Sequence, residues 1–272
     1  IVKKSFKTLA AEAKQIPDEE AQEVIDEHEF EVTGLAPRAA SSAAKVYLTV
    51  KNELEAMEAV GAVGINCLNE SRYSDTTPCL AWNLLYEEQR MIWGCEADIV
   101  TMLTKYLLHK SLGMPIMMTN LYPFLMGKAA LAHERIPHFP RVDEPQNHIL
   151  AAHCGYLGVV PQSFATQWAL KPKVLRIVDD NASAIDARLP VGDMTLAKFS
   201  PSFEQITVVE GDLEDYVQYE NSDCLNGAIL RVPDGRRMLD RLTSHHYLLM
   251  TGHWQDDISM IGKVFDFQVA QL

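Results

Sequence analysis

Between residues 41 and 119, short apolar runs alternate with helix-length segments, and this alternation constrains the fold more tightly than any other feature. Ser41 to Val60 carries Ala44, Val46, Leu48, Val50, Leu54, Met57 and Val60 as an apolar stripe, with Ser41 or Ser42 placed to cap it. Ala62-Val63-Gly64-Ile65-Asn66-Cys67 reads as a strand, Cys79 to Glu88 as a helix, and Met91-Ile92-Trp93-Gly94-Cys95 as a second short apolar run. A helix from about Asp98 to Leu112 presents Ile99, Met102, Leu103, Tyr106 and Leu107 on one face, and Gly113 with Pro115 ends it. Ile116-Met117-Met118-Thr119 is again strand-like. Strands alternating with helices predict right-handed βαβ units on a parallel sheet.

Residues 1–35 are charged and helical in pattern, with Pro17-Asp18-Glu19-Glu20 as a helix start. After about residue 145 the texture changes. Short β-type runs take over at His148–His153, Val174–Val178, Ile206–Val209, Ala228–Val232 and Tyr247–Met250. This half predicts a β-sandwich or barrel, with a last helix near Ile258–Phe265.

Composition excludes several roles. The 272 residues carry a net charge of −13, which repels phosphate backbones, so nucleic acid is not an expected partner. No apolar run approaches the ~20 residues that span a bilayer. Five cysteines at irregular spacing, with no C-x-x-C, argue against a disulfide framework and against a zinc knuckle. They point to a reducing compartment and a cytoplasmic protein. The sequence lacks a P-loop, a G-x-S-x-G elbow and a complete dinucleotide-binding glycine motif.

Polar clusters follow the predicted strands: Asn66 to Ser71, then Glu96 and Asp98, then Thr119-Asn120, then His153-Cys154-Gly155, with Ser244-His245-His246 leading into the last strand. Ligands of open parallel sheets bind beyond such strand ends. Glu96 opens a helix after Trp-Gly-Cys. It reads equally as a metal ligand or general base and as an acid that complements the helix dipole. Asp98 reads first as a capping acid. His153 reads first as a core histidine satisfied by a backbone carbonyl, and second as a ligand. The pair His245-His246 alternates faces if extended, so one of the two points into a given site. Imidazoles with carboxylate and amide oxygens suit Mn²⁺ or Mg²⁺ better than structural zinc.

The run Cys95-Glu96-Ala97-Asp98, the Leu/Met-rich helix after it and Pro115-Ile116-Met117-Met118-Thr119-Asn120 resemble the L-fucose/L-arabinose isomerase family. So does the order Glu96, Asn120, His153, His245-His246, over roughly residues 40–272. The resemblance implies an α/β subunit in which residues 1–118 form a partial Rossmann-like domain carrying Glu96. Residues 119–272 form a C-terminal β-rich domain carrying His153 and His245/His246, and the family's first domain lies outside this sequence. It implies a homo-oligomer with sites between subunits and a sugar substrate. It also implies Mn²⁺ (or Mg²⁺) bound by Glu96, Asn120, His153 and His246, with Glu96 as acid/base and His245 facing substrate. Asn120 departs from the family, which has a carboxylate there. An amide oxygen can ligate a hard cation but carries no charge and is no base.

The expectation is a divalent-metal-dependent aldose–ketose isomerase. The alternative is a catalytically weakened sugar-binding or regulatory homologue, and a third reading is a structural subunit with a vestigial site.

Overall fold

The computed structural model describes residues 1–123, 141–154, 156–173, 178–219, 222 and 225–272. The strand expected at Val174–Val178 falls largely outside the described residues, as do Gly155 and Cys224. Two compact units emerge. One comprises Ile1–Asp98 with Val159–Arg188, the other Ile99–Gly158 with Leu189–Leu272.

In the first unit, α1 (Phe6–Ala13) begins at Ser5, whose hydroxyl accepts from the Thr8 N–H, and α2 (Asp18–His28) begins at Pro17 with three acids in its first turn. Helix α3 (Ala39–Glu55) buries Ala39, Ala43, Val46, Tyr47, Val50 and Leu54, a stripe at helical spacing. Strand β1 (Ala62–Ile65) is followed by the short α4 (Cys67–Glu70), by α5 (Cys79–Gln89) and by β2 (Ile92–Cys95). The strands β1 and β2 pair in parallel, Ala62 opposite Ile92 and Ile65 opposite Cys95, as the alternation predicts. Every residue of α5 from Cys79 to Tyr86 is buried. A helix apolar on all sides belongs in a core.

The chain returns to this unit with the antiparallel hairpin of β5 (Gln167–Pro172) and β6 (Ser183–Arg188). Polar groups tie this return to the helices. Thr77 Oγ1 donates to the Ser183 carbonyl at 2.6 Å, Gln162 N–H donates to Asn83 Oδ1 at 3.0 Å, and Ser163 N–H donates to Glu87 Oε1 at 2.8 Å. A polar network joins α3 and α5: Lys51 Nζ donates to Glu88 at 2.8 Å and to the Tyr47 hydroxyl at 3.0 Å, while Tyr47 donates to Glu88.

The second unit begins with α6 (Ile99–Leu112), closed by Gly113 at φ +69°, whose N–H returns to the His109 carbonyl. Its sheet contains β3 (Met117–Pro123), β4 (His148–Ala152), β7 (Gly192–Phe199), β8 (Gln205–Val217), β9 (Gly227–Arg231), β10 (His246–Thr251) and β11 (Gln268–Gln271). Neighbours run β8-β7-β10-β3-β4-β9 and return to β8, a closed six-stranded antiparallel barrel, with β11 added in parallel outside β8. Of the two architectures open to the second half, it is the barrel. The parallel expectation for Met117–Thr119 is corrected here: β3 lies antiparallel to both β4 and β10.

Closure depends on β8, whose first part pairs with β7 and whose second part, past a register shift between Leu213 and Asp215, pairs with β9. Such a shift bends a strand and increases its twist. At the bend, a Cβ on Gly211 would collide with the Arg231 carbonyl, so only glycine lets the strands approach. Helix α6 packs on β7 and β10. There Lys198, 2% exposed, donates to Thr101, and the Phe199 N–H reaches Thr104 Oγ1. The helices α7 (Gly235–Arg241) and α8 (Gln255–Phe265) complete the unit.

Candidate metal centre

Three adjacent barrel strands bring Asn120, His153, His245 and His246 together within the second unit. Strand β3 carries Asn120 in its middle. It lies opposite His246, the first residue of β10, and opposite Ala152, the last residue of β4. The Leu121 N–H bonds to the His245 carbonyl at 2.9 Å, so Asn120 and His246 form the next, non-hydrogen-bonded pair. Side chains approach most closely in pairs of that kind.

His153 follows Ala152 directly. Cys154 sits in the left-handed region at φ +53° and turns the chain back, so that His153 and Tyr156 exchange backbone hydrogen bonds. The turn holds the His153 ring 5.7 Å, centroid to centroid, from that of His246. The His245 and His246 rings are 4.1 Å apart, and the two residues offer ring nitrogens within 4.8 Å of each other. Strand alternation would have separated them. It does not apply, because β10 begins only at His246 and His245 belongs to the preceding turn. His153 and His246 are 2% and 3% exposed, whereas His245 is exposed.

The Asn120 amide is satisfied on one side only among the described residues. Its Nδ2 donates to the Tyr122 hydroxyl at 3.2 Å. Its Oδ1 is buried and accepts no hydrogen bond among the described residues. A buried acceptor left in this state costs roughly 1–3 kcal/mol unless something else meets it. One amide oxygen and several imidazoles are donors a divalent cation accepts, and with imidazoles in the majority they favour Mn²⁺ over Mg²⁺. On that observation the residues present fit the cation.

Glu96 lies in the first unit, on the turn that follows β2. Glu96 and Ala97 both have positive φ, +55° and +54°, and Asp98 N–H closes the turn on the Cys95 carbonyl at 3.1 Å. Turns of this shape favour Asn-Gly, and each left-handed non-glycine residue costs on the order of 1–3 kcal/mol. Such strain concentrates at functional sites. Glu96 therefore sits in a turn three residues ahead of Ile99, where α6 starts, and not in the first helical turn as the pattern suggested. Asp98 immediately precedes the helix, the place of a capping acid.

Other polar residues have structural work. Thr119 Oγ1 donates to the Leu157 carbonyl and Ser244 Oγ to the His246 carbonyl. Tyr122 went unnoticed in the sequence. The signal was there, since Asn-x-Tyr on a strand places both side chains on one face.

The sequence matches no family model and no curated protein.

Proposed function

We propose that the chain is a divalent-metal-dependent aldose–ketose isomerase acting on a sugar or sugar derivative, resembling the fucose/arabinose isomerases. The observation that carries this reading is the close approach of the His153, His245 and His246 rings beside the strand position of Asn120, whose buried amide oxygen accepts no hydrogen bond among the described residues. In this reading Asn120, His153 and His246 hold Mn²⁺ (or Mg²⁺), and Glu96 supplies the charged oxygen. Glu96 sits on a strained turn, the kind of position where functional residues concentrate. The cation supplies a Lewis acid for the sugar oxygens. The Glu96 carboxylate takes a proton from one carbon of the sugar and returns it to the next, and exposed His245 orients a hydroxyl. The first unit is read as the partial Rossmann-like domain, and the protein as a cytoplasmic homo-oligomer with sites between subunits.

A specific observation favours the second reading, a sugar-binding or regulatory homologue with weakened catalysis. Asn120 lacks the charge and the titratable oxygen of a carboxylate. Two assays separate the readings. Titration calorimetry with Mn²⁺ is expected to show binding that His246→Ala weakens by more than roughly tenfold, about 1.4 kcal/mol. Incubation with fucose or arabinose in the presence of Mn²⁺ is expected to yield the ketose, and Glu96→Gln to abolish it. Binding without turnover selects the weakened homologue, and absence of Mn²⁺ binding removes both metal readings.

A further inference from the structure

We infer that Tyr122 is the positioning residue that turns the Asn120 amide so that its oxygen, and not its nitrogen, faces the histidines. This rests on the metal reading of the same site. An amide is two-faced, with an oxygen that accepts and a nitrogen that carries two donors, and only the oxygen can ligate a cation. A carboxylate at this position would present an oxygen in either orientation. An asparagine must be held.

Three observations assign the holding to Tyr122. Its hydroxyl oxygen accepts from Asn120 Nδ2 at 3.2 Å, which leaves Oδ1 as the buried atom accepting no hydrogen bond among the described residues. Its ring packs on the apolar cluster of Leu150, Ala152, Leu225 and Ile229, so the hydroxyl is held from behind. The cross-strand neighbour of Asn120 on β4 is Ala152, whose methyl group offers the amide no competing bond. The two residues two apart on β3 thus work as a unit. The tyrosine converts a neutral, ambiguous side chain into an oxygen ligand of fixed direction.

The test is a double-mutant cycle on the full chain, read by Mn²⁺ calorimetry. Tyr122→Phe keeps the ring and its packing and deletes only the hydroxyl. In the Asn120 protein it is expected to weaken Mn²⁺ binding roughly three- to tenfold, the worth of one lost orienting hydrogen bond. In the Asn120→Asp protein the same change is expected to alter affinity less than about twofold, because either carboxylate oxygen serves. A metal-free readout accompanies it. The Asn120 side-chain NH₂ resonance, assigned by its loss in Asn120→Asp, is expected to shift in Tyr122→Phe. Equal weakening in both backgrounds makes Tyr122 a packing residue and overturns the inference. So does an unchanged affinity, or an unmoved NH₂ resonance. A wild-type chain that binds no Mn²⁺ while the resonance moves would leave the hydrogen bond standing but overturn the metal reading, and with it the role assigned here.

Discussion

At Asn120 the exchange of one nitrogen for an oxygen would change the site by a full charge. A carboxylate about 4 Å from a divalent cation gains on the order of 4 kcal/mol per unit charge at an effective dielectric near 20, before its own desolvation is subtracted. Asn120→Asp is therefore expected to raise Mn²⁺ affinity by roughly ten- to hundredfold in calorimetry. Equal affinities would place Asn120 outside the ligand set. A second residue-scale outcome concerns Tyr47. Burial, and then its hydrogen bond to Glu88, push the phenol up to about 12 from an ordinary 10.0. Burial alone would also raise the Glu88 carboxyl, but the hydrogen bonds from Lys51 and Tyr47 overcome it, and its pKa is lowered. A raised folded value means that the folded state holds the proton more tightly. The Tyr47 contribution is then full below about pH 10 and lost as pH rises through about 12. Tyr47→Phe is expected to flatten the fall of the urea midpoint across that window and to lower the midpoint at pH 7 by about 1 kcal/mol of stability. The histidines stood out in the sequence because each borders a predicted strand, and their rings do lie near one another. The amide orientation was not legible, because it depends on a hydroxyl two residues away and on the packing behind it.

Among the elements, β9 shows how little room the barrel allows. A Cβ on Gly227 would meet the Ala151 carbonyl and the Ala152 Cα, which are backbone atoms of β4 that cannot swing away. Gly227→Ala is expected to cost about 1–3 kcal/mol and to lower the thermal midpoint accordingly. An unchanged melting curve would show that β4 and β9 separate more easily than their register suggests. Helices and buried strands were readable wherever one pattern ruled. The helix expected from Asp98 to Leu112 is Ile99–Leu112, and the run Tyr247–Met250 lies within β10, His246–Thr251. Strands β5, β6, β7 and β11 were missed. In β7, Gly-Asp-Met-Thr-Leu-Ala-Lys-Phe carries Lys198, whose charge speaks against a core strand until Thr101 of α6 is brought to it. The direction of pairing was unreadable for a different reason. An isolated apolar run such as Ile116–Thr119 fits a parallel or an antiparallel neighbour equally well, and the neighbour that decides it, β10, lies more than a hundred residues away.

On the scale of the whole molecule, the first unit is discontinuous, and residues 159–188 return to it after the chain has made β3 and β4. The returning segment supplies partners for Thr77, Asn83 and Glu87, three polar side chains on or next to the buried α5. A chain ended at residue 118 leaves Thr77 and Asn83 without them, at roughly 1–3 kcal/mol each. Such a truncation is expected to lose cooperative unfolding in urea, while the full chain retains it. A sharp transition in the fragment would mean that the helices suffice alone. The closed ring has a consequence in time as well as in space. Asn120 meets His246 only when strands 126 positions apart in the sequence have found each other, and contacts so distant impose a large loop-closure cost before any return. On the proposed metal reading, the ligand set would come together near the end of folding. A newly made chain would then have no ordered place for a cation until its last strands have joined the ring, and capture of the ion would report a finished barrel.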